Sequence, residues 1–146
     1  MINLKNASLL GLLVAIAAMI TLVFRESLFA IGPVAIAIQV LAALLMLWAR
    51  VSFGARSFHA SANPTKGGLI TSGPYKFLRH PIYAAILYFA WAGISAHPLT
   101  INFLLGVAVT IGLFVRMFAE EHLVAQQYPD YKMYTAHTKR IIPFIF

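Results

Sequence analysis

At 146 residues, 61% hydrophobic and only 10% charged, the chain lies far from the roughly 45–50% apolar and 25% charged composition of soluble domains. It reads as a single multi-pass, integral membrane domain. The formal charge of +7 would suit nucleic acid elsewhere, but here the basic residues alternate with apolar spans, so lipid headgroups and topology account for them and no nucleic-acid partner is expected. With no cysteine, disulfides, thiolate nucleophiles and Cys-ligated metals are excluded.

The first predicted span runs from about residue 7 to 24. Lys5 ahead of an apolar run imitates a leader peptide, yet the run continues to Phe24, longer than the usual apolar region of about 7–15 residues, which predicts a membrane helix. The second span covers 27–49, or starts at Pro33 if that proline occupies the first helical position; Gly32-Pro33 could equally kink a longer helix. Gln39, its one strongly polar side chain, is read as a hydrogen-bonding group between helices rather than a functional one.

From Arg50 to His80 the chain becomes polar, with Asn63-Pro64 and Gly67-Gly68 as turn signals and a short interfacial helix expected near Val51 to Ser57. Loops this long are usually functional or disordered, and the interleaved Phe53, Phe58, Leu69, Ile70, Tyr75 and Phe77 argue against disorder. Spans three (81–96) and four (99–118) are joined by the short His97-Pro98 link, which predicts an antiparallel hairpin. Span three rises only about 23 Å against a hydrocarbon core of about 30 Å, so its His80 end is expected in a dip at the interface. The tail, 119–146, is amphipathic and aromatic and can fold back along the headgroups as a lid.

Lys5, the central-loop residues Arg50, Arg56, Lys66, Lys76 and Arg79, and the tail residues Arg116, Lys132, Lys139 and Arg140 all fall on one side of a four-span arrangement, with Arg25 on the other. The positive-inside rule then places both termini and the loop in the cytoplasm, at the cell membrane of a prokaryote or the endoplasmic reticulum of a eukaryote.

Two clusters are candidates for chemistry. Arg79-His80-Pro81 could be an ordinary interfacial flank with proline at a helix start. A helix N-terminus also presents unpaired N–H groups to a carboxylate or phosphate. Glu120 and Glu121 could simply solvate a helix end, but acids are disfavoured near a helix C-terminus, and the hairpin returns them to the His80 side. Adjacent helical residues point about 100° apart, so one is expected to accept from a ligand while the other pairs with Arg79, Arg116 or Arg140. His59, His80, His97, His122 and His137 show no metal-ligand spacing, and no Walker or Rossmann glycine loop occurs. Tyr128, Tyr131 and Tyr134 suit an interfacial belt or a cofactor clamp.

Taken in order, GPYKFLRHPIY, a hairpin, AEEHLVAQQYPDYKMY and a terminal RIIPFIF resemble the isoprenylcysteine carboxyl methyltransferase family and its relatives, the membrane phospholipid N-methyltransferases, over Arg50 to Phe146. The resemblance implies an enzyme that uses S-adenosylmethionine and releases S-adenosylhomocysteine. It implies a cofactor between Tyr75, Leu78, Arg79, His80, Pro81 and Tyr83 on one side and Glu120 or Glu121 on the other. Tyr131, Tyr134 and Arg140 would close the pocket from the tail. A carboxylate acceptor needs only a cation such as Arg79 or Arg140 to orient it, whereas an amine must lose a proton, for which Glu120, Glu121 or His80 are candidates. The expected partner is a lipophilic or lipid-anchored substrate, a carboxylate, thiol or amine, arriving through the membrane lipids. A small four-span transporter or structural membrane protein is the rival of another class, the transporter disfavoured because the spans carry no acid.

Overall fold

The computed structural model describes residues 3–54 and 69–146, and among these the regular structure is helical. Helices α1 (Leu4–Phe24), α2 (Pro33–Phe53), α3 (Pro81–Ala96), α4 (Thr100–Gln127) and α5 (Tyr131–His137) follow in order, with a 3-10 turn at Gly73–Lys76 before α3. By length and composition α1, α2 and α4 are able to cross a membrane; α3 is apolar but has only 16 residues, about 24 Å of helix. Arg56, His59, Phe58, Asn63-Pro64, Lys66 and Gly67-Gly68, and part of the expected interfacial helix, lie outside the described residues.

The second span begins at Pro33, not at Ser27. Gly32 takes a positive φ of 87°, which breaks the chain ahead of the proline, and the helix runs on past Ala49 to Phe53. Gln39 of α2 reaches back to the freed segment, receiving the Ala30 N–H (2.9 Å) and donating to the carbonyl of Leu28 (2.7 Å), and donates also to that of Phe89 on α3 (3.0 Å). This one buried amide therefore pins the α1–α2 turn to α3, the structural role expected of it.

Consecutive helices are not the closest neighbours. α1 lies along α4 and α2 along α3, while α3 and α4 meet over a shorter stretch. The α1–α4 seam is a stripe of small residues, Ser8, Gly11, Ala15 and Ala18 on α1 against Val109 and Gly112 on α4, which lets the backbones approach. A Cβ on Gly112 would overlap the Gly11 carbonyl oxygen, and one on Gly11 would overlap that of Gly112. At the opposite end from His80, buried Asn102 accepts from Arg25 Nε (2.9 Å) and donates to Ser27 Oγ (3.0 Å) and the His97 carbonyl (2.9 Å). Both ends of α4 are thus fixed against elements distant in sequence.

Because the seam leaves no room, Gly112→Ala is expected to destabilise the fold by about 1–3 kcal/mol, the usual cost of overpacking. A thermal melt in detergent checks this, with outward-facing Leu41→Ala, 65% exposed, as a near-neutral control.

Candidate functional site

The polar cluster is built where the 71–80 segment, the end of α4 and the tail converge. Gly73 holds a φ of 59° at the start of the 3-10 turn, and a Cβ there would overlap Ser52 Oγ on α2. Glycine is therefore required twice over, and the turn seats Pro74 and Tyr75 in buried positions, with the Tyr75 ring 5.5 Å from that of Phe53. Beyond it the backbone pairs with the tail in parallel: Lys139 N–H donates to the Phe77 carbonyl (3.0 Å), Arg79 N–H to that of Lys139 (2.7 Å), and His80 N–H to that of Arg140 (3.0 Å). Leu78 and Pro81 are buried at this junction, Leu78 in the main apolar core, so they shape the cluster by packing. Pro81 opens α3 and sets the direction of His80 and Tyr83.

Glu121, past the apolar part of α4 that ends at Phe118, sits at the centre. Its Oε1 lies 3.0 Å from Arg79 Nε and 3.1 Å from His80 Nε2; its Oε2 receives Arg140 Nε (3.1 Å) and Nη2 (3.0 Å). The Arg79 contact is of charge with charge: Nε is at ion-pair distance but its N–H is off line, so among the described residues this buried donor has no directed acceptor. Arg79 Nη1 donates to the carbonyls of Thr135 (3.1 Å) and Thr138 (3.3 Å), capping the C-terminal end of α5 with a cation. Arg140 is held between the rings of Phe118 and Phe146, each centroid 5.2 Å from its guanidinium carbon.

Glu120 points to a second cluster. Its Oε1 receives the Tyr83 hydroxyl at 2.6 Å and lies 3.0 Å from Arg116 Nη2, while Arg116 Nε donates to the same hydroxyl at 2.7 Å. Among the described residues, the hydrogen bond and the ion-pair contact to Glu120 both fall on Oε1. The Tyr83 ring stacks on His80 (5.5 Å, 14° between planes), which joins the two clusters. The expectation that only one acid would be ion-paired is thus corrected. The 100° offset sends them to different arginines, and both are paired because each is partly buried beside a cation.

The tyrosines of the tail also arrive. Tyr134 donates to the Tyr75 carbonyl at 2.8 Å, and its ring centroid is 6.1 Å from that of buried Tyr131. Burial pushes the Tyr134 hydroxyl up to about 12, opposed by Arg79; Tyr75 and Tyr131 are raised further, again chiefly by burial. All three stay neutral and act as hydrogen-bonding and packing groups. Burial alone would also raise the Glu121 carboxyl, but hydrogen bonds from His80 and Arg140 and the charges of His80 and Arg79 outweigh it and bring it down to about 2.

Every sequence-proposed residue therefore lies at this junction. Sequence reasoning gave Arg116 no place among the site residues and missed the ring clamp of Phe118 and Phe146. The four-residue spacing of Arg116 and Glu120 on a helix was the readable signal for the first; nothing local in sequence marks the second. Among the described residues, no group of three His, Asp or Glu side chains gathers as a metal would require.

The isoprenylcysteine carboxyl methyltransferase (ICMT) family model matches residues 34–126. The nickel-cobalt-cadmium resistance protein NccN of Alcaligenes xylosoxydans xylosoxydans is 26% identical over 76 residues, 51% of this chain, which thereby spans about a third (36%) of that relative. No solved structure matches the chain.

A carboxyl held at about 2 instead of 4.5 contributes stability that is fully present above pH 4.5 and is lost as the pH falls through 2. Melting temperatures in detergent should therefore separate the wild type from Glu121→Gln above pH 4.5, with the gap closing towards pH 2. A gap independent of pH would contradict the ion-pair assignment.

Proposed function

The chain belongs to the isoprenylcysteine carboxyl methyltransferase family, and from that premise we propose that it transfers the methyl group of S-adenosylmethionine to a lipophilic acceptor at the membrane surface. The observation that carries this reading is the meeting of Arg79, His80 and Arg140 on the Glu121 carboxylate, four ionisable side chains from three separate parts of the chain.

The residues fit the cofactor. Among the described residues, a buried arginine N–H without a directed acceptor and a carboxylate whose contacts fall on one oxygen stand in one connected cluster. A donor and an acceptor so placed suit a group that carries both a carboxylate and an ammonium, as the amino-acid end of S-adenosylmethionine does. Arg79 and His80 would receive the carboxylate, Glu120 the ammonium, and Tyr75, Tyr131 and Tyr134 would supply the aromatic wall. When bound, the cofactor supplies an electrophilic methyl on a sulfonium centre, chemistry that asks for positioning more than for acid–base help.

For the acceptor, the chain's own charges favour a carboxylate. Three arginines, Arg79, Arg116 and Arg140, face two glutamates, and Arg140 is the least buried of the three, 29% exposed. A carboxylate needs no base, only a cation to orient it, and Arg140, the most exposed of the three, would supply it. An apolar cavity lined by Met19, Ala42, Met46, Ala85, Ile86 and Phe89 lies between α1, α2 and α3, and Ile86 is one turn along α3 from Tyr83. Its wholly apolar lining suits the hydrocarbon part of an acceptor arriving from the bilayer. The basic loop and tail favour a cytoplasmic position for the site.

Incubation of the detergent-purified protein with methyl-labelled S-adenosylmethionine should label a prenylcysteine analogue as a base-labile methyl ester. Arg79→Gln should lower the rate by about 10²-fold or more, the scale of losing one preorganised charged donor. Label found only in an ethanolamine phospholipid would replace the carboxylate reading with amine methylation, and no label in either would refute the enzyme reading.

A further inference from the structure

Arg116 is a charge that the packing of the bundle does not ask for. It is 5% exposed, one turn before the acid pair, on the face of α4 that also carries Leu113 and Met117. Burying a guanidinium costs several kcal/mol, and a buried ion pair can often be replaced by apolar residues of like volume with no loss of stability. Stability alone therefore gives no reason for it.

Its contacts do. Arg116 Nη2 sits 3.0 Å from Glu120 Oε1, Arg116 Nε donates to the Tyr83 hydroxyl at 2.7 Å, and that hydroxyl donates in turn to the same Oε1 at 2.6 Å. The three groups close a ring whose vertices come from α3 and α4, and both contacts to Glu120 fall on one of its two oxygens. Among the described residues the carboxylate is therefore held through Oε1, with Oε2 on the other side of the carboxyl group. Tyr83 also carries the His80 ring on its face, so the same ring of contacts steadies the neighbouring cluster.

We propose that Arg116 is a positioning residue, which acts through Glu120 and Tyr83 to present Glu120 Oε2 to the ammonium of the bound cofactor. The inference rests on the reading of Glu120 as a cofactor contact. Without Arg116 the carboxylate keeps, among the described residues, the hydrogen bond from Tyr83 and loses its cation, so it is free to turn and the second oxygen is no longer presented. Arg116→Lys keeps a cation near Glu120 but cannot serve two acceptors with a rigid fork, so it should restore part of the effect.

A double-mutant cycle on S-adenosylhomocysteine affinity, measured by calorimetry on the full chain in detergent, separates this from a general structural role. Arg116→Gln is expected to weaken binding by about tenfold, within the range of coupling between contacting residues, and Arg116→Lys by less. In a Glu120→Gln background both substitutions should change affinity less than about twofold, because the group through which they act is gone. The same loss in both backgrounds, or no loss in either, overturns the proposal. If Glu120→Gln itself leaves affinity intact, the cofactor role of Glu120 fails, and the positioning role with it; the single variant reveals that failure before the cycle is closed. Should Arg116→Gln not fold, the Arg116→Lys pair completes the cycle alone.

Discussion

The arrangement depends on one carboxylate. Glu121 is shared by Arg79 and His80 at the entrance of α3 and by Arg140 in the tail, and its burial is tolerable only because all three are present. Removing any one leaves charge uncompensated in a half-buried place, and the parallel backbone pairing of Phe77–His80 with Lys139–Arg140 loses the side chains that lock it. The tail is thus part of the site, tied by main chain and by charge.

The helices exist in this form to bring those pieces together. α3 is short, so its N-terminus can sit at a depth where polar groups meet the bilayer surface, and α4 is long enough, at 28 residues, to carry Glu120 and Glu121 beyond its apolar part. The glycine seam with α1 sets where α4 stands, and Asn102 fixes its other end. A small shift along that seam would move both glutamates relative to His80. A site made of ion pairs a few ångströms long demands a scaffold without slack, and close backbone packing provides it.

Much of this was legible in the chain. Composition and run lengths announced the apolar helices, and the ordered motifs around Arg79-His80-Pro81 and Glu120-Glu121 picked out two segments that meet in the structure. The start of α2 was readable only as an alternative, because a Gly-Pro pair can kink a helix or begin one; the positive φ of Gly32 decides it, and φ is not written in sequence. The pairing of α1 with α4 was hidden because a small-residue stripe names no partner. Which glutamate joins which arginine was likewise out of reach: the 100° offset shows that they diverge, but not what awaits each. Phe118 and Phe146 look like membrane-facing aromatics until the tail folds back and places Arg140 between their rings.

We propose that the nucleoside cofactor binds where the 75–83 segment, the end of α4 and the tail converge. Ultraviolet cross-linking of methyl-labelled S-adenosylmethionine to the purified protein, followed by peptide mapping, tests it most directly. Label is expected in peptides that contain 75–83 or 117–140, competed away by S-adenosylhomocysteine and absent in Glu121→Gln. Saturable label confined to α1 or α2, or no competable label at all, would contradict it.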